Sequence, residues 1–375
     1  MSHPIRICLI ATELRGFGPH GGFGSVTRDV AVGLAARGLE VYVAMPRKNG
    51  QKPFETVGGV TVVSYPTPLY THLRKAAPFA GVFRMIDADV FHSQEPSLGT
   101  ALAQMGAPHR KHMVTFRDPR DPEDWKKEWA GLPRRGLWHL WKFWRRYQLE
   151  TGRAARRADA WYCPARFLIE KSTKIYKLKT PPGFLPNPVA MSEPTRPKAA
   201  KPTVCFLGRW DHRKRPELFL EIAGKFPDVT FVAAGSCMSD RERDDRLRQK
   251  CRELKNVEIP GWLNEEDRAA ILDRAWILAN TSTREGLPAT YLEAGARQCA
   301  ILSHCNPDEF ASNFGFWAKK GDLEDFAAGL KFLLENNRWT PLGRKAHDYV
   351  KNTNDYNNVM DQHIRVYRQL LGARD

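Results

Sequence analysis

Short apolar runs rich in β-branched residues alternate along the chain with longer segments whose apolar positions recur every three or four residues. IRICLIA (5–11), VYVAM (41–45), ADVFH (88–92) and KHMVTF (111–116) read as strands, and the first helical segment runs to Arg37 with Gly38 closing it. The rhythm restarts at TVCFLG (203–208) and continues through VTFVAAG, NVEIPG, AWILANT and CAILSH, each separated by a helix-length segment. Alternation of this kind is that of a parallel sheet with crossover helices. Because it is played out twice, the expected fold class is α/β with two Rossmann-like, doubly wound domains. The stretch LPNPVAMSEPTRPKAAKP (185–202) is proline-rich, lacks apolar periodicity and reads as the hinge between them. The division this predicts is 1–186 and 187–353, enclosing a cleft, since ligands of open parallel sheets lie beyond the carboxyl ends of the strands.

Length agrees: 375 residues exceed what one hydrophobic core usually organises. Charge narrows the partners, for 58 Lys and Arg against 42 Asp and Glu leave a net +16, which suits an anionic ligand or surface. Seven scattered cysteines without a CxxC pair point to a reducing compartment rather than a disulfide frame or zinc site. The N-terminus lacks the features of a secretory signal and no apolar run approaches the ~20 residues of a membrane span. The expected location is therefore cytoplasmic, with any membrane contact peripheral, at the inner face.

The segment REGLPATYLEAG (284–295) carries the clearest chemistry. Pro288 suits the first helical position, and the helix N-terminus beside Leu287 and Pro288 would favour a phosphate. Glu285 lies before that end and Glu293 beyond it, with about 7.5 Å of helix rise between Pro288 and Glu293. Two carboxylates around a phosphate site fit a ligand with hydroxyls at both ends and diphosphate between, the outline of a nucleotide sugar. The alternative is an exposed Glu285 and a Glu293 making ordinary helix pairs. After the strand TVCFLG, Arg209 is expected at the strand end and Lys214 ahead of a helix, a guanidinium and an ammonium that both meet diphosphate charge. A solvated basic turn is the other reading. Following the first strand, the glycines around Gly22 allow close backbone approach to a ligand at a helix start. The loop is too long and its spacing too different for a nicotinamide fingerprint.

Together these residues resemble the family-4 retaining glycosyltransferases of the GT-B fold, over nearly the whole chain: GGFGSVTRDVAVGLAARGLEVYV, LPNPV, GRWDHRK, NVEIPGWLNEED and REGLPATYLEAG. The resemblance implies a nucleotide sugar held mainly by the C-terminal domain, an acceptor held mainly by the N-terminal one, and a last helix, 354–375, crossing back to the first domain. It implies that Arg209 and Lys214 contact the diphosphate, Glu285 the sugar and Glu293 the ribose, with Gly22 near the phosphates and Trp262 beside the base. Two positions depart from the family pattern. Gln94 stands where relatives often carry a histidine that approaches the transferring sugar, and a glutamine can hydrogen-bond but cannot titrate. Arg117 stands where histidine is common, suiting an anionic acceptor or pairing with Asp118 or Glu95, while His92 matches a histidine that more often packs behind its strand. The implied reaction is retaining transfer from a UDP-linked sugar to a carbohydrate or lipid-linked acceptor by front-side displacement, with Glu285, Lys214, Arg209 and Gln94 as catalytic residues and Glu95, Arg117 and His92 on the acceptor side. No cofactor or metal is expected. A nucleotide-sugar-binding protein that has lost catalysis and a nucleotide-sugar epimerase are the competing readings.

Finally, RRGLWHLWKFWRRYQLETGRAARR (134–157) has helical spacing, with Leu137, Trp141, Trp144 and Tyr147 on one side and Arg135, Lys142, Arg146, Arg153 and Arg157 opposite. Such a helix fits an anionic membrane surface, or a crossover helix whose apolar face is core. Nucleic acid is not an expected partner, since no binding module accompanies the charge.

Overall fold

A computed structural model describes residues 3–18, 20–66, 73–129, 137–192, 196–237, 240–261 and 263–372, without the side chains of 128, 129, 137–144, 146 and 147. The chain divides into two compact units. The first comprises Met1–Pro122, Leu132–Pro188 and Asn357–Asp375, and the second Glu123–Gly131 and Val189–Tyr356.

Among the described residues the first unit is built on an eight-stranded sheet: β1 (Arg6–Ile10), β2 (Glu40–Pro46), β3 (Phe54–Val57), β4 (Val60–Tyr65), β5 (Val90–Ser93), β6 (Lys111–Thr115), β7 (Ala160–Cys163) and β8 (Gly183–Phe184). Their order is β3-β4-β2-β1-β5-β6-β7-β8, parallel throughout except for β3, which pairs antiparallel with β4. That hairpin turns on Gly58 and Gly59, whose φ values of 55° and 77° are the left-handed pair a tight two-residue hairpin turn requires. The sheet is buried on both faces because parallel strands need crossover helices: Ile7, Leu9, Val43, Val62 and Phe91 are all inaccessible. The last helix, Tyr356–Leu370, buries Val359, Met360, His363 and Tyr367, and Arg37 fastens its start through Asn357 (2.7 Å) and Asp361 (3.3 Å).

The second unit has a six-stranded parallel sheet among its described residues. Its strands are β9 (Thr203–Leu207), β10 (Thr230–Ala234), β11 (Val257–Glu258), β12 (Ile277–Asn280), β13 (Ala300–Ser303) and β14 (Gly315–Trp317), in the order β11-β10-β9-β12-β13-β14. Two cores flank it, one around Trp210, Phe219, Phe231 and Phe326, the other around Tyr291, Phe310 and Val350. The proline-rich segment is tied to this unit by Val189, whose amide donates to the Asn354 carbonyl at 2.9 Å.

Both sheets reverse direction once. In the first, successive strands run outward one way from β1 and the other way from β5; in the second, one way from β9 and the other from β12. At such a switch point the connections after the two central strands diverge, leaving a crevice at their carboxyl ends where ligands of this architecture bind.

Candidate active site

The switch point of the second sheet collects the charged residues singled out from the sequence. Strand β9 ends at Leu207, so Arg209 lies two residues past it rather than at its end. The loop that follows is anchored by Trp210, which is buried, donates its amide to Ser236 at 2.9 Å and lies under the Arg248 guanidinium at 5.1 Å. Gly235, at φ +153°, approaches so closely that an added Cβ would stand 1.9 Å from the Gly208 carbonyl oxygen. The loop closes at Arg215, left-handed at φ 47°, before Pro216 starts the helix Pro216–Lys225. A residue preceding proline is disfavoured in the right-handed helical region, and Arg215 is held where it is by donating to the Thr281 carbonyl (2.6 Å) and the Gly321 carbonyl (3.0 Å).

From β12 the chain enters Thr281–Glu285, and the two connections are stitched together. Thr281 donates its hydroxyl to the Lys214 carbonyl at 2.6 Å, and the Thr283 amide donates to the Arg213 carbonyl at 2.9 Å. Lys214 and Glu285, 71 positions apart, form an ion pair in which the ammonium is 19% and the carboxylate 10% exposed. Ser282 donates its hydroxyl to the same carboxylate oxygen at 2.6 Å, and Asn280 lies 3.4 Å from it. Burial pushes the Glu285 carboxyl up, but the charge and hydrogen bond of the Lys214 ammonium, the Ser282 hydroxyl and the Arg213 charge outweigh it and hold it below the usual range. The carboxylate therefore stays ionised at neutral pH. Arg209 is 56% exposed and paired with Asp211 at 3.4 Å.

Pro288 is not the first residue of the helix. It caps Ala289–Gly295 from outside, because its ψ of 131° is extended although its φ of −63° would suit a helix. Leu287 is half-buried against the core beneath. Glu293, on that helix, is ion-paired with Arg268 of the helix Glu265–Arg274, a partner from a different element and not the same-helix pairing weighed from sequence. Trp262 lies outside the described residues.

The other residues gather at the switch point of the first sheet. Gly22 opens the helix Gly22–Ala35, and the Gly24 amide in its first turn donates to the Glu13 carboxylate at 2.9 Å, so an anion of the protein's own already occupies that helix end. Gln94 follows β5 directly, its amide donating to the Ile10 carbonyl of β1 at 2.9 Å. Its side chain accepts from Arg117 at 2.5 Å and donates to His92 Nδ1 at 3.2 Å. His92 is inaccessible, with Tyr367 Oη at 2.8 Å from the same nitrogen and Thr115 Oγ1 at 2.7 Å from Nε2. Burial, with His363 and Arg117 close by, holds its pKa well below the ordinary value. The ring is thus neutral, accepting at Nδ1 and donating from Nε2. Arg117 is buried, bonded through its guanidinium to Asn187 as well as Gln94. Neither pairing expected from sequence holds it: Glu95 instead accepts the backbone amides of Arg117 (2.7 Å) and Asp118 (3.1 Å). Burial, with Asp118 adding to it, raises the Glu95 carboxyl to about 8, and burial lowers Arg117 to about 10.

Sequence reasoning passed over Asn280, Ser282 and Thr281, although a polar Asn-Thr-Ser-Thr run straight after an apolar strand was the available signal. It gave no sign of Arg215 as an anchor. Of the tryptophan-rich segment, the helix Leu137–Arg156 is present, but 134–136 and the side chains of Leu137, Trp141, Lys142, Phe143, Trp144, Arg146 and Tyr147 lie outside the described residues. All seven cysteines are free, and six are buried. Among the described residues no group of three or more His, Cys, Asp or Glu is arranged to hold a metal ion, and no helix is long and apolar enough to cross a membrane.

Comparison with known proteins agrees with this architecture. Residues 20–193 match the family model described as Glycosyltransferase Family 4, and residues 190–355 match the one described as Glycosyl transferases group 1. The chain belongs to the family-4 type of GT-B glycosyltransferases. Among solved structures it is similar to a sucrose-phosphate synthase from Thermosynechococcus elongatus (TM-score 0.78, 15% identity, covering 99% of this chain and 100% of that one). It is similar also to a glycosyltransferase from Rickettsia africae ESF-5 (0.71, 14%, 99% of each chain). WaaG, a glycosyltransferase involved in lipopolysaccharide biosynthesis, is a third (0.68, 16%, 96% of this chain and 99% of that one). No curated protein sequence matches significantly. The protein is a glycosyltransferase on two Rossmann-like domains.

Proposed function

We propose that the enzyme transfers a sugar from a nucleotide donor, UDP-linked, to a hydroxyl of a carbohydrate or lipid-linked acceptor, with retention of anomeric configuration. The observation that carries this reading is the shielded Lys214–Glu285 pair at the β9/β12 switch point, one turn ahead of the helix Ala289–Gly295. In it, Glu285 accepts hydrogen bonds from donor sugar hydroxyls, while Lys214 and the outward-facing Arg209 meet the diphosphate. Leu287, Pro288 and the amides that follow present the helix end to the same charge, and Glu293 takes the ribose. The acceptor is assigned to the first unit, near Gln94, Glu95, Arg117 and His92.

Displacement is written on the front side. The acceptor oxygen forms the new bond to the anomeric carbon as the bond to the diphosphate breaks on the same face, and the departing diphosphate oxygen takes the acceptor's proton. The protein's part is to stabilise charge growing on the leaving group, with Lys214 and Arg209 placed beforehand, and to hold the sugar in line through Glu285. Because those cations already oppose the diphosphate, turnover is expected without an added divalent metal. The likeness to a lipopolysaccharide-biosynthesis enzyme supports a lipid-linked glycan acceptor, and the tryptophan-rich basic helix supports work at an anionic membrane face.

Release of nucleoside diphosphate from a panel of sugar nucleotides, with and without EDTA, tests the proposal. Lys214→Ala and Glu285→Ala are each expected to lower turnover by about 10²-fold or more, the scale of losing a group that stabilises the transition state, with the fold retained by circular dichroism. Wild-type turnover in either variant, or strong loss of wild-type activity in EDTA, would refute the assignment.

A further inference from the structure

The helix Pro122–Trp129 belongs in sequence to the first half of the chain, yet Glu123–Gly131 is part of the second unit, flanked on both sides by stretches of the first. Asp124 on this helix is 7% exposed and lies 2.9 Å from the guanidinium of Arg284, itself 6% exposed. Arg284 is the residue immediately before Glu285. We infer that Asp124 is a positioning residue for the donor site, clamping Arg284 and so fixing the turn that presents Glu285.

The turn is short and each residue along it is held. Thr281 is tied to the Lys214 and Arg215 carbonyls, Ser282 through its amide to Asn280 Oδ1 at 2.9 Å, and Thr283 to Arg213. Arg284 is the member whose charged side chain is turned inward, and taking the Asp124 carboxylate from a buried guanidinium adds a desolvation penalty that the pair had offset. The turn would relieve it by rotating Arg284 toward water, which carries Glu285 off Lys214 through a single peptide link. Lys127, three residues along from Asp124, acts electrostatically on Cys305, which in turn lies 3.1 Å from the Ser282 carbonyl and feels Glu285. Asp124 comes from outside the contiguous stretch Val189–Tyr356, so the order of the donor turn depends on a piece of chain joined at both ends to the first unit.

This inference rests on Glu285 serving the donor, and the test separates the two. Asp124→Asn, Asp124→Glu, Arg284→Lys and Glu285→Ala are compared with wild type in full-length protein by hydrogen exchange and by donor KM and kcat in the nucleotide-release assay. Asp124→Asn is expected to speed exchange at the Ser282 and Thr283 amides by tenfold or more, leave the Phe231 and Val232 amides of β10 unchanged, and lower kcat/KM for donor by about 10²-fold, the scale of a misplaced catalytic group. Asp124→Glu restores most of both. Exchange at Ser282 and Thr283 unchanged by Asp124→Asn overturns the inference, as does faster exchange spread equally over β10, which marks a merely structural role. Wild-type turnover in Glu285→Ala overturns the donor assignment instead, while the exchange readout still reports whether Asp124 orders the turn.

Discussion

A carboxyl that accepts two backbone amides would ordinarily be a strong acid, yet Glu95 is displaced the other way, to about 8, because burial and Asp118 outweigh those bonds. Its folded pKa lies above its ordinary 4.5, so the folded state binds the extra proton, and the stability this gives is full below 4.5 and lost as pH rises through 8. His363, lowered to about 4 by burial, and His92, lowered likewise, work in the opposite sense, contributing stability above the ordinary histidine value of 6.5 that is lost as pH falls. As pH rises above 6.5 both rings become neutral in the unfolded state as well, so their opposing contribution levels off and Glu95 dominates toward pH 8. Folding stability of the wild type, and with it the melting temperature, should therefore fall as pH approaches 8, by up to about 1.4 kcal/mol per pH unit, and Glu95→Gln should flatten the slope. A slope unchanged by the substitution would show that Glu95 is an ordinary acid. At this scale the sequence was half legible. Residue types and spacings marked Lys214 and Glu285, and the family resemblance Arg117 and Glu95, as charged groups near strand ends, but their partners were not visible. Pairing of Lys214 with Glu285 across 71 positions, or of Arg117 with Asn187 rather than an acid, depends on how loops settle after the strands are in register.

Elements were read best where periodicity had room to show itself. The central strands β1, β2, β5, β6, β9, β10, β12 and β13 lie in largely apolar runs, as buried parallel strands should. Strands β8 and β14 hold two and three residues, too few for any period, whereas the two residues of β11 lie inside the run NVEIPG. The β3–β4 hairpin is not among the predicted strands even though Val-Gly-Gly-Val is a turn signal, because this antiparallel edge interrupts the strand–helix alternation. The connection after β9 offers a test at this scale. Gly235→Ala would place a methyl 1.9 Å from the Gly208 carbonyl in a conformation side chains rarely adopt, at a cost of about 1–3 kcal/mol if the strand end yields. Relief comes by pushing Gly208, and with it Arg209, away from β10. A raised donor KM is expected along with a lower melting temperature, whereas a loss of stability with unchanged KM would separate the strand end from the site.

Over the whole molecule, +16 is a large charge for 375 residues, more than one nucleotide ligand needs. If the basic, tryptophan-rich helix lies on an anionic bilayer, each Lys or Arg near the surface contributes about 1 kcal/mol at low salt, and that attraction is screened as the Debye length shrinks from about 10 Å at 0.1 M to about 3 Å at 1 M. Co-sedimentation with anionic vesicles should be strong at low salt and largely reversed by 1 M; no binding at low salt would remove the membrane from the proposal. Two-domain organisation was plain from the repeated rhythm, but the reassignment of Glu123–Gly131 to the second unit was not, since no composition shift marks it. That excursion bears on how such enzymes can be recombined. Grafting only Val189–Tyr356 into a homologous backbone, as a cassette to exchange donor preference, would leave Arg284 facing a foreign helix and take away its Asp124 carboxylate. A working chimaera would have to swap the distant nine-residue insert Glu123–Gly131 together with the cassette, so that natural shuffling of these halves is constrained by a helix encoded far upstream.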